Sequence, residues 1–128
     1  MSENKVSYAG QVVVITGAAR GIGAATARLV AERGGQVFAL DIARDGLTAL
    51  QKELSLPDNQ VATIDLGSQE SVKENIDAIF KLTGRIDALI NTAGVVGPTN
   101  VKVEDVKWED FESTVRINLF GTVWLTQA

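Results

Sequence analysis

Gly17, Gly21 and Gly23 stand in the run Thr16-Gly17-Ala18-Ala19-Arg20-Gly21-Ile22-Gly23, directly after the apolar stretch Gln11 to Thr16. Residues without side chains suit a backbone that must turn tightly, approach an anion closely and let the next helix pack near the strand it leaves. A helix start adds unpaired N–H groups and the positive end of its dipole, so the chemistry in prospect is the holding of a pyrophosphate. The common dinucleotide fingerprint is G-x-G-x-x-G; here the order is G-x-x-x-G-x-G, and the same physics applies. The plainer alternative is a glycine turn with no ligand.

Asp41 ends the next apolar run about 20 residues further on, where a carboxylate can accept hydrogen bonds from adenosine ribose hydroxyls and would repel a 2′-phosphate. A solvated Asp capping the following segment is the competing account. Arg20, inside the turn, pulls the other way, because a guanidinium can pair with a 2′-phosphate, although it can equally lie exposed over the turn. The balance favours NAD over NADP as cofactor.

Composition removes most other chemistry. The chain has 128 residues with neither cysteine nor histidine, so thiolate nucleophiles, disulfides, zinc–thiolate sites and imidazole bases are excluded, and no metal site is expected. A net charge of −4 offers no basic stripe for nucleic acid. The opening Met1 to Gly10 is polar and unlike a signal peptide, and no apolar run reaches the ~18 residues of a membrane span, which points to a cytoplasmic protein without membrane contact.

The elements that must hold these residues alternate. Gln11 to Thr16, Val37 to Asp41, Val61 to Asp65 and Ile86 to Asn91 read as buried strands. A first helix carries Ile22, Ala25, Leu29 and Val30 at helical spacing and stops at Gly34-Gly35; a second carries Leu47, Leu50 and Leu54 and breaks at Pro57. A third covers Ser68 to Leu82, with Val72, Ile76, Ile79 and Phe80 on one face, either Ser68 or Ser71 as its cap, and Gly84 as its stop. Thr92 to Lys102 reads as a loop, and a long helix runs from about Asp105 to the end. The order βαβαβαβα demands an α/β fold: a Rossmann-type three-layer arrangement of about four parallel strands with helices on both faces, forming one domain over residues 1–128.

Four motifs in order, Thr16 to Gly23, Asp65-Leu66, Asn91-Thr92-Ala93-Gly94, and Asn118 with Gly121, closely resemble the short-chain dehydrogenase/reductase family from Gln11 to Ala128. The resemblance implies that Gly17, Ala19, Arg20, Gly21, Ile22 and Gly23 hold the pyrophosphate and Asp41 the ribose. It also implies that Asp65 and Leu66 flank the adenine, and that Asn91, Ala93 and Gly94 line the cofactor. Asn118 matches the asparagine whose backbone carbonyl positions a water in the family's proton relay, although the sequence by itself favours the plainer account of a polar residue on an otherwise apolar helix face. Where the family has Asn-Asn-Ala-Gly this chain has Thr92, which is expected to weaken a tie between neighbouring strands.

The family's catalytic serine and Tyr-x-x-x-Lys pair follow a fifth strand, and the 128 residues stop short of those positions. The only tyrosine is Tyr8, with Val12 rather than lysine four residues later. The expectation is therefore an N-terminal part of an alcohol- or ketone-converting oxidoreductase, incomplete at its C-terminus, that binds the dinucleotide without turning it over; a non-catalytic nucleotide-binding or interaction module is the alternative. Trp108, Phe111, Val115, Leu119 and Thr122 share a helical stripe with Asn118, while Ile117, Phe120, Val123 and Trp124 cover much of the remaining circumference. A helix so nearly apolar all round, beside a fourth strand left as an edge, is expected to self-associate or to take a partner through residues 105–128.

Overall fold

The computed structural model describes residues 6–128; the first five residues of the polar opening stretch lie outside it. Four strands, β1 (Val12–Thr16), β2 (Gln36–Asp41), β3 (Val61–Thr63) and β4 (Ala88–Asn91), form one parallel sheet in the order β3-β2-β1-β4. Helices α1 (Gly21–Glu32) and α2 (Arg44–Leu54) cover one face. Helix α3 (Gln69–Thr83) and a C-terminal helix cover the other. All five residues of β1 are buried, because it is central in the sheet and covered on both sides. Its alternation divides the core: Val12 and Val14 join Phe38, Leu40, Val72 and Ile76 on one face, Val13 and Ile15 join Ala24, Ala27, Leu47 and Leu50 on the other.

Most expected elements are present, and the departures have local causes. Helix α1 buries Gly23, Ala24, Ala27 and Val30, whereas Ile22, Ala25 and Leu29 are exposed, contrary to the expected face. A Cβ at Gly23 would lie 2.0 Å from the Gly17 carbonyl oxygen, so the helix start is pressed onto the glycine turn. That contact sets the helix rotation and turns Gly23, Ala24 and Ala27 toward the sheet in place of Ile22, Ala25 and Leu29, while Val30 is buried as expected. Gly34, at φ +83°, follows the last turn as expected, with its N–H and that of Gly35 donating to Ala31 and Val30. Strand β3 ends at Thr63, two residues early: Asp65 leaves the ladder, its N–H donating to Ser71 Oγ at 3.0 Å. Ser68 is the cap of α3, accepting from the Ser71 N–H at 3.2 Å. Phe80 points outward, 56 % exposed.

The C-terminal helix starts at Trp108 rather than Asp105, after a single 3₁₀ turn at Val103–Asp105. It runs as α4 (Trp108–Val115), a π turn (Arg116–Phe120) and α5 (Gly121–Gln127). The wider π turn rotates the residues beyond it, so the stripe drawn at uninterrupted α-helical spacing does not run straight. Gly121 and Leu125 are buried, and Ile117 and Trp124 pack partly against the core. Trp108, Phe111, Leu119, Phe120 and Val123 stay exposed. No helix among the described residues is long and apolar enough to cross a membrane.

The entry to β4 is pinned by Asp87. Its Oδ2 accepts the Val12 N–H at 2.7 Å, and its own N–H donates to the Val12 carbonyl at 2.9 Å. Arg85 donates to both carboxylate oxygens. The Arg85 hydrogen bond, followed by that from Val12, holds the Asp87 carboxyl below its ordinary range. A lowered folded-state value stabilises the fold above the unfolded-state value of about 3.9, and that contribution is lost as pH falls through the lower one. We expect Asp87→Ala to lower the melting temperature at pH 7 and to flatten its fall on acidification from pH 5 to 2.5. Parallel melting curves for the variant and the parent would contradict this.

Candidate functional site: a cleft at the carboxyl ends of β1 and β4

From β1 the chain proceeds to β2 and β3 on one side, then returns to place β4 on the other. The loops leaving β1 and β4 therefore diverge, and a crevice opens at the point where strand order reverses. A cleft of about 460 Å³ lies there, a size suited to a small-molecule ligand. Segments far apart in sequence line it: Gly17 and Arg20 to Gly23 after β1, Asp41 and Ile42 after β2, Ile64 to Leu66 after β3, Thr92 to Val95 after β4, and Ile117 from the π turn.

The floor is shaped by glycine. Gly17 and Gly21 have φ of +69° and +56°, the left-handed region that residues with a Cβ avoid. A Cβ at Gly17 would also lie 2.7 Å from the Ala93 nitrogen, whereas one at Gly21 would meet nothing within 4 Å. Gly17 thus lets the β1 and β4 loops touch, and Gly21 leaves its side of the turn open. Arg20 precedes α1 in extended conformation, with no side-chain cap and no acidic residue in the first turn. The N–H groups of Gly21, Ile22 and Gly23 precede the first possible intrahelical acceptor, so the helix start carries uncompensated positive character.

Asp41 is partly buried and does two things at once. Its Oδ2 accepts the Ala19 N–H at 3.0 Å and its Oδ1 the Ala43 N–H at 2.9 Å, which ties the glycine turn to the start of α2. Each carboxylate oxygen keeps a further lone pair. Asp65 is exposed at the rim, its Oδ1 accepting from Gly67 N–H at 2.8 Å, and Leu66 is buried beneath.

Thr92 keeps the strand tie that its departure from Asn was expected to weaken. Its Oγ1 donates to the Thr16 carbonyl at 2.8 Å and its N–H to the same oxygen at 3.2 Å. The compact hydroxyl also fits between two glycines, since a Cβ at Gly17 or Gly23 would lie 2.8 or 2.6 Å from it. Asn91 sits behind the lining: it accepts from Thr16 Oγ1 at 2.6 Å and donates to Thr122 Oγ1 at 3.0 Å, joining β1, β4 and α5. Asn118 clamps the loop after β4 with both ends of its amide, accepting the Val95 N–H at 2.8 Å and donating to the Val95 carbonyl at 2.6 Å. Its own carbonyl accepts from Thr122 Oγ1 at 2.8 Å.

Twelve sequence candidates for cofactor contact thus converge on one end of the sheet, with Ala19 and Asn91 supporting the lining rather than forming it. Ile42, Ile64, Thr92, Val95 and Ile117 line the cleft and were not among the candidates. The first four adjoin candidates in sequence, which was the available signal; Ile117 comes in from a distant helix. Ile22 and Ile42 are 76 % and 69 % exposed and give the cleft an apolar rim. Among the described residues no group of three or more acidic side chains is placed to hold a metal ion.

The short chain dehydrogenase family profile matches residues 11–128. The chain is 37% identical over 121 residues to D-threitol dehydrogenase of Mycolicibacterium smegmatis, covering 93% of this chain and 46% of that protein. It is 35% identical over 120 residues to the 3-oxoacyl-[acyl-carrier-protein] reductase FabG of Thermotoga maritima, covering 92% and 48%. The crystal structure of a metagenomic short-chain oxidoreductase in complex with NADP superposes with a TM-score of 0.86 at 30% identity, over 96% of this chain and 56% of that one. The chain spans about half the length of the curated relatives it matches. With the family profile matched from the first strand to the last residue, the chain belongs to the short-chain dehydrogenase family.

Proposed function

We propose that the chain binds NAD(H) in this cleft, as the cofactor-binding portion of an oxidoreductase that acts on an alcohol or ketone. The observation that carries the reading is the meeting, at the strand-order reversal, of an open glycine turn at a helix start with a carboxylate at the end of β2. The N–H groups of Gly21, Ile22 and Gly23 would receive the pyrophosphate. The spare lone pairs of Asp41 would accept the adenosine ribose hydroxyls. Asp65 and Leu66 would bound the adenine, and Ala93 and Gly94 the part of the cofactor beyond β4. When bound, the nicotinamide supplies the hydride acceptor or donor. A cytoplasmic setting accompanies this reading, supported by the soluble cofactor it would use.

Asp41 makes NAD(H) the proposed partner over NADP(H), because a 2′-phosphate beside it meets like charge. Arg20, exposed on the same cleft, is the group that would favour NADP(H). In fluorescence titrations the unmodified chain should bind NADH at least about tenfold tighter than NADPH, a difference of ~1.4 kcal/mol. Asp41→Ala should narrow that ratio while weakening both, since it also frees the Ala19 and Ala43 N–H groups. Tighter NADPH binding by the parent would show that Arg20 prevails.

The ionisable side chains lining the cleft are Arg20, Asp41 and Asp65, and Tyr8 sits before β1, at the opposite end of the sheet. We propose that these 128 residues bind and orient the cofactor without exchanging a substrate hydroxyl proton, a general acid–base contribution of about 10²- to 10⁴-fold in rate. The purified chain should show no NAD(H)-dependent turnover across a broad alcohol and ketone panel. Turnover that disappears when a residue of this chain is substituted would refute the proposal.

A partner surface on the C-terminal helix belongs to the same reading. Phe111, Leu119, Phe120 and Val123 are exposed there, and β4 is the outer strand on that side of the sheet. Burying a large apolar side chain contributes roughly 1.5–3 kcal/mol, so several left in water forgo a sizeable part of a typical stability of ~5–15 kcal/mol. We expect the chain to self-associate through this surface. Sedimentation at rising concentration should show a dimer or larger species that Phe120→Glu, on the exposed side of the helix, dissociates. A folded monomer at tens of micromolar would sink the idea.

A further inference from the structure

Gly46 is the third residue of α2, a position where glycine is a poor helix former and where its backbone has no positive φ to demand it. Space demands it instead. A Cβ at position 46 would lie 2.8 Å from the Ala19 Cβ and 3.1 Å from the Ala19 carbonyl oxygen, inside the ~3.5–4.0 Å of ordinary carbon contact. Both near atoms are stiff, one a backbone oxygen and the other a methyl fixed to the backbone, so neither can swing aside.

Ala19 lies in the glycine turn, one residue before the extended Arg20 that opens α1. On one side the Asp41 carboxylate holds its N–H at 3.0 Å, and just before it the Ala18 N–H donates to the Leu40 carbonyl at 3.2 Å. On the other side α2 presses against it through Gly46. If that contact became crowded, α2 would resist moving, because Leu47 and Leu50 anchor it in the core and Glu53 pairs with Arg28 of α1 at 2.6 Å. Arg20 and Gly21, exposed on the cleft, are the free direction.

We propose that Gly46 is a positioning residue for the dinucleotide: by letting α2 lie against Ala19, it sets where the Arg20–Gly23 N–H groups stand in the cleft. The proposal rests on the reading of the cleft as a dinucleotide site. Gly46 touches no cofactor and acts only through Ala19.

The test uses Gly46→Ala, Ala19→Gly and the double variant of the full chain, with NADH titration, thermal melting and hydrogen exchange at the Ala19 amide. Gly46→Ala should weaken NADH binding on the order of tenfold and speed exchange of the Ala19 N–H. Adding Gly46→Ala to the Ala19→Gly background, where the crowding methyl is gone, should cost markedly less than adding it to the parent. If Gly46→Ala fails to fold alone yet folds and binds NADH in that background, the contact is equally established. Unchanged NADH affinity with a higher melting temperature would show that only helix propensity had changed and would overturn the proposal. So would equal losses in both backgrounds. A parent chain that binds no dinucleotide would overturn the reading of the cleft itself, and the positioning role with it.

Discussion

The contact between Gly23 and the Gly17 carbonyl governs more of this structure than any other. With a Cβ position only 2.0 Å from that oxygen, the first turn of α1 can sit on the end of β1 only if residue 23 is glycine. Three consequences arise from one approach of backbone to backbone. The start of the helix is held close to the sheet, where the buried residues are Gly23, Ala24 and Ala27, and the larger Val30 is buried only toward its C-terminal end. The helix start is aimed at the crevice beside β4. Ile22, which the spacing alone would have buried, is turned out to the cleft rim.

Sequence reasoning recovered what depends on local patterning. The parallel order of elements, the stop at Gly34, the carboxylate at Asp41 and the convergence of the Gly17–Gly23, Asp65–Leu66 and Asn91–Gly94 segments stem from periodicity, turn chemistry and family resemblance. What it missed depends on distances between elements. The rotation of α1 is set by packing, which a count of apolar residues does not see. The early end of β3 comes from Ser71 drawing the Asp65 N–H away from the ladder. The π turn at Arg116–Phe120 leaves no signature in spacing and shifts every face drawn beyond it. The bond from the Thr92 hydroxyl to the Thr16 carbonyl, which keeps β4 tied to β1, is a geometry visible only in three dimensions.

The polar ties around the cleft share a design. Asp41 joins the glycine turn to α2, Thr92 joins it to the exit of β4, Asn91 joins β1 and β4 to α5, and Asn118 joins the β4 loop to the π turn. Each is a short side chain bonded across elements, so the loops at this end are fixed by hydrogen bonds while apolar burial secures the body of the sheet. Among the described residues no buried side-chain nitrogen or oxygen lacks a partner. Loops held in this way keep their N–H groups oriented before any ligand arrives, which lowers the ordering cost of binding.

The C-terminal helix faces two ways. Its inner side supplies Ile117 to the cleft and presses Gly121 against Leu66, where a Cβ would lie 2.7 Å from the carbonyl oxygen. Its outer side carries Phe111, Leu119 and Phe120 into solvent. One helical segment thus serves two surfaces, and a ligand on the outer side that displaced it would also move Ile117 at the wall of the cleft. Thermodynamic linkage makes such coupling reciprocal, so a partner that changes the affinity for the dinucleotide by some factor has its own affinity changed by the same factor when the dinucleotide binds.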